Sequence, residues 1–99
     1  MRVVFANKKL ERLAHDRSYT WKYSQEVAEA YRLRLQALES AGDVRDVPHL
    51  GSVRLEKLKG SRRRQWSMRL TGPWRLVLQF RRDEQGQLAV VIEVVDYHR

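Results

Sequence analysis

The chain has 99 residues, which suffices for one globular domain over 1–99 and leaves no room for a second domain or a nucleotide-sized interior cleft. It contains no cysteine, which excludes disulfides, thiolate zinc sites, iron–sulfur clusters and a cysteine nucleophile. Its 20 Lys and Arg residues outnumber its 12 Asp and Glu residues, giving a formal net charge of +8. Because no stretch approaches the roughly 20 apolar residues of a membrane span, we expect a soluble, cytoplasmic protein with no membrane partner.

The first predicted elements are a short strand and a short helix. Val3–Phe5 is a run of β-prone residues near the N-terminus. Asn7 follows this run, and asparagine is a favoured N-cap because its side chain accepts a hydrogen bond from a free backbone N–H. We therefore predict a helix over Lys8–His15.

A polar segment with three aromatic residues, Asp16–Tyr23, has no clean period, so we interpret it as a connection. Its aromatic side chains could stack on a partner or cover the edge of the core. A second helix is predicted to begin after Ser24, a suitable N-cap, and to end near Gly42. Apolar residues recur along one stripe of this helix, at Val27, Tyr31, Leu35 and Leu38.

The second half of the chain predicts antiparallel strands, after a loop that contains proline and glycine. The first of these strands is predicted over Val53–Leu58, and a basic turn follows it. Trp66–Thr71 alternates apolar and polar residues, and 74–80 repeats this pattern except at Val77, so we predict a hairpin across the two-residue turn Gly72-Pro73.

A second turn over Arg81–Gln87 leads to Leu88–Val95, a continuous apolar run that we expect at the centre of the sheet. The element order predicts an α+β fold, a single domain with an antiparallel β-sheet and two N-terminal helices packed on one face. The apolar positions of the hairpin should pack under the helices, so Arg69 and Arg75 should project from the other face. If the lysines of the preceding strand lie beside them, that face is cationic.

The charge of the chain is concentrated in one segment. Ten of the 20 basic residues lie between Arg54 and Arg82, where Glu56 is the one acidic residue, so the segment carries +9 and the rest of the chain −1. A polyanionic partner explains such a patch. A solvated basic face that serves solubility is the alternative, and charge alone does not separate the two.

Cleavage of an RNA phosphodiester requires a base, an acid and cations that stabilise the phosphorane. Of the three histidines, His15 lies near a helix C-terminus and His49 lies in a loop. His98 ends the apolar strand beside Asp96 and Tyr97, although spacing alone also fits an ordinary C-terminal tail. No histidines or acidic residues have the spacing of metal ligands, and we expect neither a metal nor another cofactor.

Three segments occur in order between Arg54 and His98: RLEKLKG, QWSMRLTGPWRLVLQF and EVVDYH. Together they resemble the HigB branch of the RelE/ParE toxin superfamily from bacterial toxin–antitoxin systems, and the element order matches over nearly the whole chain. The resemblance implies an mRNA endonuclease that acts on translating ribosomes without a metal. It also implies a HigA-like helix-turn-helix antitoxin as partner, with DNA contacted only through that antitoxin.

The resemblance assigns catalysis to four residues of this sequence, Lys59, Arg75, Tyr97 and His98. Lys59 and Arg75 would stabilise the phosphorane, His98 would transfer a proton, and Tyr97 would stack on a base or orient His98. The basic residues expected to contact RNA are Lys57, Arg62, Arg63, Arg64, Arg69, Arg81 and Arg82.

Glu56 and Asp96 are secondary catalytic candidates. Some toxins of this branch have a histidine three residues before the motif lysine, and this chain has Glu56 there, which could act as a base or only as an ion-pair partner. The related ParE branch shares the fold and poisons DNA gyrase. A non-enzymatic module, either a gyrase poison or an RNA-binding subunit, is therefore the alternative function, although the ending Tyr97-His98 favours the nuclease branch.

Overall fold

The computed structural model describes residues 1–49 and 53–96, which form one five-stranded sheet and two α-helices. The sheet order is β1-β5-β4-β3-β2, and all neighbouring strands are antiparallel except β1 and β5. In chain order the elements are β1 (Arg2–Phe5), α1 (Lys8–His15), α2 (Gln25–Ser40), a 3₁₀ helix (Val44–His49), β2 (Glu56–Lys57), a 3₁₀ turn (Gly60–Arg62), β3 (Trp66–Arg69), β4 (Trp74–Asp83) and β5 (Gly86–Asp96). No helix in these described parts is long and apolar enough to cross a membrane.

Both α-helices begin at the residues that the sequence predicts. The Asn7 side chain accepts a hydrogen bond from the Leu10 N–H at 2.9 Å, and the Ser24 hydroxyl accepts one from the Val27 N–H at 3.1 Å. Each cap satisfies a backbone donor that the first helical turn leaves free. The predicted stripe of α2 is buried against the sheet, at Val27, Tyr31, Leu35 and Leu38.

The predicted α+β fold is confirmed, with two helices packed on a mostly antiparallel sheet. The sequence did not predict that β1 pairs with β5 in parallel. Arg2 lies opposite Leu88 and Phe5 opposite Val91. Local periodicity identifies a strand but carries no information on its direction relative to a strand more than 80 residues away. The result confirms the predicted central position of β5, because this strand has β1 on one side and β4 on the other.

The β3–β4 connection is one residue longer than the predicted two-residue turn. A two-residue turn would place Thr71 opposite Trp74, whereas the Leu70 N–H donates to the Trp74 carbonyl at 2.9 Å. Gly72 has φ +55° at the centre of this connection, a conformation that glycine adopts without a steric penalty. The longer loop keeps apolar residues of the two strands on one face, which is what burial under the helices requires.

Two other strand boundaries also differ from the prediction. The β4–β5 turn is two residues long, since Asp83 pairs with Gly86, and it is much shorter than the predicted 81–87. The strand predicted over 53–58 is reduced to β2, because Arg54 has a left-handed backbone with φ +48° that interrupts the extended chain. The predicted apolar face is confirmed, because Met68, Leu76 and Leu78 are fully buried in the cluster that α2 covers.

Candidate active site

A cleft of about 590 Å³ lies on the open face of the sheet, opposite the helices. It is formed by β2, the 3₁₀ turn after it and the neighbouring parts of β3 and β4. Its lining residues are Glu56, Lys57, Leu58, Lys59, Arg62, Ser67 and Arg75. Four of these seven side chains are cationic, so the cleft is suited to bind an anion such as a phosphodiester.

Arg75 is held in the cleft by three hydrogen bonds and is only 15% exposed. Its Nε donates to the Ser67 hydroxyl at 2.7 Å, and its Nη2 donates to the Arg54 carbonyl at 2.7 Å and to the Ser67 carbonyl at 3.3 Å. These contacts fix the plane of the guanidinium before any ligand binds. A cation that is already oriented stabilises developing negative charge without a cost of reorganisation.

The strand register explains how Ser67 reaches Arg75. Ser67 pairs with Val77 and Arg69 pairs with Arg75, so Ser67 and Arg75 are diagonal neighbours on the open face. The left-handed backbone at Arg54 belongs to the same arrangement, since the carbonyl of this residue accepts from the Arg75 guanidinium. A non-glycine residue in this conformation is strained by about 1–3 kcal/mol, and such strain is retained where the surrounding structure holds it.

Glu56 completes the group around Arg75. It lies opposite Ser67 in the β2–β3 pair, and its Oε1 is 3.6 Å from the Arg75 Nη2. The Glu56 side chain is 64% exposed, so this ion pair is exchangeable and contributes little to stability. The cleft therefore contains a fixed cation next to a carboxylate that is free to leave it.

The other cations of the cleft differ in how firmly they are held. Lys59 is exposed and precedes the 3₁₀ turn, and the Lys57 ammonium lies 5.9 Å from the centre of the Trp66 ring. Arg62 forms an ion pair with Glu93 of β5 at 2.6 Å. Glu93 therefore balances part of the positive charge at Arg62, whereas Lys59 keeps its charge at the surface of the cleft.

The remaining predicted RNA contacts lie outside the cleft. Arg63 and Arg64 are exposed directly after the 3₁₀ turn, and Arg69 is half-buried opposite Arg75. Arg81 and Arg82 are exposed near the far end of β4. Arg81 is six residues from Arg75 along β4, or about 20 Å at the usual strand rise.

The catalytic candidates at the end of β5 are only partly described. Asp96 is exposed and lies opposite Trp74, one position from the Arg75–Val95 pair. The predictions for Tyr97 and His98 fall outside the described residues. Within 1–49 and 53–96, no three histidine or acidic side chains lie close enough together to hold a metal ion.

Three groups contribute to this site in ways that the sequence did not predict. The alternation with Trp66 and Met68 puts Ser67 on the polar face of its strand, but its hydrogen bond with Arg75 was not predicted. Glu93 is the one acidic residue inside the apolar run of β5, which could have marked it as an ion-pair partner. No sequence pattern predicts the role of the Arg54 carbonyl, because its orientation follows from a left-handed backbone angle that arginine does not favour.

The sequence matches a known protein family over nearly its whole length. Residues 3–98 match the family model described as RelE-like toxin of type II toxin–antitoxin system HigB. Among solved structures, the chain is similar to a YoeB/ParE toxin from Agrobacterium tumefaciens, with a TM-score of 0.66 and 19% sequence identity over 99% of this chain and 100% of that chain. At this identity the likeness shows the fold alone. No curated protein matches the sequence.

Proposed function

Because the chain belongs to the family of RelE-like toxins of HigB-type type II toxin–antitoxin systems, we propose that it is a ribosome-dependent mRNA endonuclease. A toxin of such a system has an antitoxin partner, and here we propose a HigA-like helix-turn-helix protein. The ribosome and its mRNA are the proposed targets, in the cytoplasm. The observation that carries the proposal is the oriented, largely buried guanidinium of Arg75 inside a cationic cleft.

The proposed reaction is attack of a ribose 2′-oxygen on the adjacent phosphorus. The new P–O2′ bond forms as the P–O5′ bond breaks, which leaves a 2′,3′-cyclic phosphate and a free 5′-hydroxyl. Negative charge grows on the non-bridging oxygens of the phosphorane, and we assign its stabilisation to Arg75 and Lys59, which both line the cleft. Arg75 contributes fixed orientation, and Lys59 contributes an exposed ammonium that adapts to the bound phosphate.

Two proton transfers must accompany this reaction. The 2′-hydroxyl loses a proton, and we assign this proton to Glu56, the one carboxylate among the lining residues of the cleft. The O5′ leaving group gains a proton, which we assign to His98. When a phosphate binds to Arg75 it replaces the weakly held Glu56, and the carboxylate is then available beside the substrate.

Tyr97 and Asp96 have supporting roles in this proposal. Tyr97 stacks on a base next to the scissile phosphate or orients His98, and Asp96 precedes both in the sequence. We propose that further basic residues contact the phosphates of ribosomal RNA and mRNA. Outside the cleft these are Arg63, Arg64, Arg69, Arg81 and Arg82, and among the lining residues they are Lys57 and Arg62.

The test compares cleavage by wild type, Arg75→Ala and Arg17→Ala after brief induction in a bacterium. Mapping of new RNA 5′ ends should show cuts within translated messages for wild type and Arg17→Ala, and about 10²–10³-fold fewer for Arg75→Ala. Arg17→Ala is the matched control because it removes the same charge from an exposed position outside the cleft and outside the proposed RNA contacts. Uncut transcripts in cells that wild type arrests would refute the nuclease assignment.

A C-terminal deletion separates the nuclease from the non-enzymatic alternative. A gyrase poison or a simple RNA-binding subunit does not need His98, so removal of His98-Arg99 should leave its toxicity intact. A nuclease of the proposed mechanism should lose toxicity while the variant remains folded by circular dichroism. Survival of toxicity in this variant would favour the non-enzymatic function.

A further inference from the structure

The connection between α1 and α2 presents an aromatic side chain in an unusual backbone conformation. Trp21 has φ +53°, and it occupies the second position of a turn that the Tyr23 N–H closes by donating to the Thr20 carbonyl at 2.9 Å. Glycine and asparagine are the residues favoured at such a position. A tryptophan there is strained, and strain in a surface turn is a reason to look for a function.

Two lysines surround the Trp21 ring with positive charge. The Lys22 ammonium lies 4.8 Å and the Lys9 ammonium 5.5 Å from the ring centre. Both side chains are exposed, and neither forms an ion pair with any carboxylate in 1–49 or 53–96. The half-exposed indole and these two ammonium groups together form what we term the Trp21 platform.

A chain of aromatic contacts connects the Trp21 platform to the end of the sheet that holds Arg75. The Trp21 and Tyr23 rings meet edge to face with centres 5.5 Å apart, and the Tyr23 and Trp74 rings do the same at 5.5 Å. Trp74 is the residue before Arg75 and lies opposite Asp96. The platform therefore lies beside the edge at which β5 ends, on the helix side of the sheet.

The chemistry of the Trp21 platform fits one kind of ligand. An aromatic face stacks on an unpaired nucleobase whatever its identity, and adjacent ammonium groups pair with the phosphates that flank the base. A base that stacks on Trp21 displaces one lysine from the ring, and this lysine is then available to the phosphate. An acidic polypeptide would use the two charges but would gain nothing from the strained indole.

We propose that the Trp21 platform is a second RNA subsite, which stacks one unpaired nucleotide outside the catalytic cleft. This rests on the proposed function in one respect, since it takes RNA to be the substrate. The subsite would hold an RNA strand that passes the end of β5, and it would favour single-stranded over paired RNA. Because stacking tolerates any base, it would add affinity without selecting a sequence.

Binding of a fluorescently labelled single-stranded RNA of about 20 nucleotides tests the proposal, with Arg75→Ala as the background so that the probe is not cut. Glycine is favoured at this turn position, so Trp21→Gly removes the ring without straining the backbone. We expect it to raise Kd at least about fivefold, and Trp21→Tyr, which keeps an aromatic face, to restore most of the affinity.

A charge-matched pair supplies the second measurement. Lys22→Gln should weaken binding and lower the slope of log Kd against log salt concentration by about 1. Lys8→Gln should keep the Kd of the background protein, because the ammonium groups near the Trp21 ring belong to Lys9 and Lys22. All these side chains are exposed or half-exposed, so the variants should fold, which circular dichroism checks.

Three outcomes would overturn the proposal. The first is an unchanged Kd for Trp21→Gly and Lys22→Gln, and the second is equal losses for Lys22→Gln and Lys8→Gln. The third is that poly-glutamate displaces the labelled RNA equally well from the protein with Trp21 and from Trp21→Gly. This result would show that the Trp21 platform binds anions in general. Cleavage is measured in a separate experiment. If wild type does not cut mRNA but Trp21→Gly still weakens RNA binding, the nuclease proposal is refuted and the subsite is retained.

Discussion

Replacement of Ser67 by alanine tests whether Arg75 is held in place for catalysis. Ser67 is 1% exposed, and its hydroxyl accepts the Nε–H of Arg75 at 2.7 Å, so Ser67→Ala leaves that donor without its acceptor in a largely buried position. A hydrogen bond to a charged group is worth about 1.5–3 kcal/mol. If the loss falls on the transition state, the cleavage rate should drop about 10- to 100-fold.

The assay is single-turnover cleavage of mRNA on purified, programmed ribosomes. Substrate binding should change less than the rate, because Lys59 and the surrounding arginines still attract the RNA. Ser67→Thr retains a hydroxyl acceptor and should recover most of the rate if its methyl group is accommodated. Thermal unfolding of each variant separates a loss of orientation from a loss of fold.

A double-mutant cycle provides the decisive comparison. Arg75→Ala alone should reduce the rate about 10²–10³-fold. Ser67 acts through Arg75 in this interpretation, so adding Ser67→Ala to Arg75→Ala should cost almost nothing further. Fully additive losses would refute the positioning role of Ser67, and an Arg75→Ala enzyme as fast as wild type would refute the role of Arg75 itself.

Three further predictions concern Glu56 as the proposed base, the buried Tyr31 and the outer arginines Arg63 and Arg64. In single-turnover cleavage, Glu56→Gln should lower the rate about 10²-fold, whereas a purely ion-pairing Glu56 would leave the rate nearly unchanged. Burial raises the pKa of Tyr31, whose hydroxyl donates to the Leu10 carbonyl at 2.9 Å. The tyrosine in the unfolded chain therefore ionises at a lower pH than the buried one. The stabilising contribution of Tyr31 is thus present below about pH 10 and declines at higher pH. Denaturant titrations from pH 8 to pH 11 should show a smaller alkaline loss of stability for Tyr31→Phe than for wild type, and equal losses would contradict this. The double variant Arg63→Gln/Arg64→Gln should lower the slope of log Kd for ribosome binding against log salt concentration by about 2, as measured by pelleting. Its cleavage rate at saturating ribosomes, measured in single turnover, should be unchanged.

Local physical chemistry determined most of the secondary structure. Asn7 and Ser24 set the starts of both helices because their side chains satisfy backbone donors nearby in sequence. The alternation of apolar and polar residues fixed which face of the hairpin packs under the helices. It thereby placed Arg75 on the open face, so the sequence alone predicted the central cation of the candidate site.

The tertiary structure decided what surrounds that cation. The Arg54 carbonyl reaches Arg75 across 21 residues, and Glu93 reaches Arg62 across 31 residues. Such contacts depend on register, strand direction and a left-handed backbone angle, none of which has a local periodic signal. The parallel β1–β5 pair and the three-residue β3–β4 loop were missed for the same reason. Periodicity specifies which side a residue faces, whereas only the assembled sheet specifies which distant group it meets.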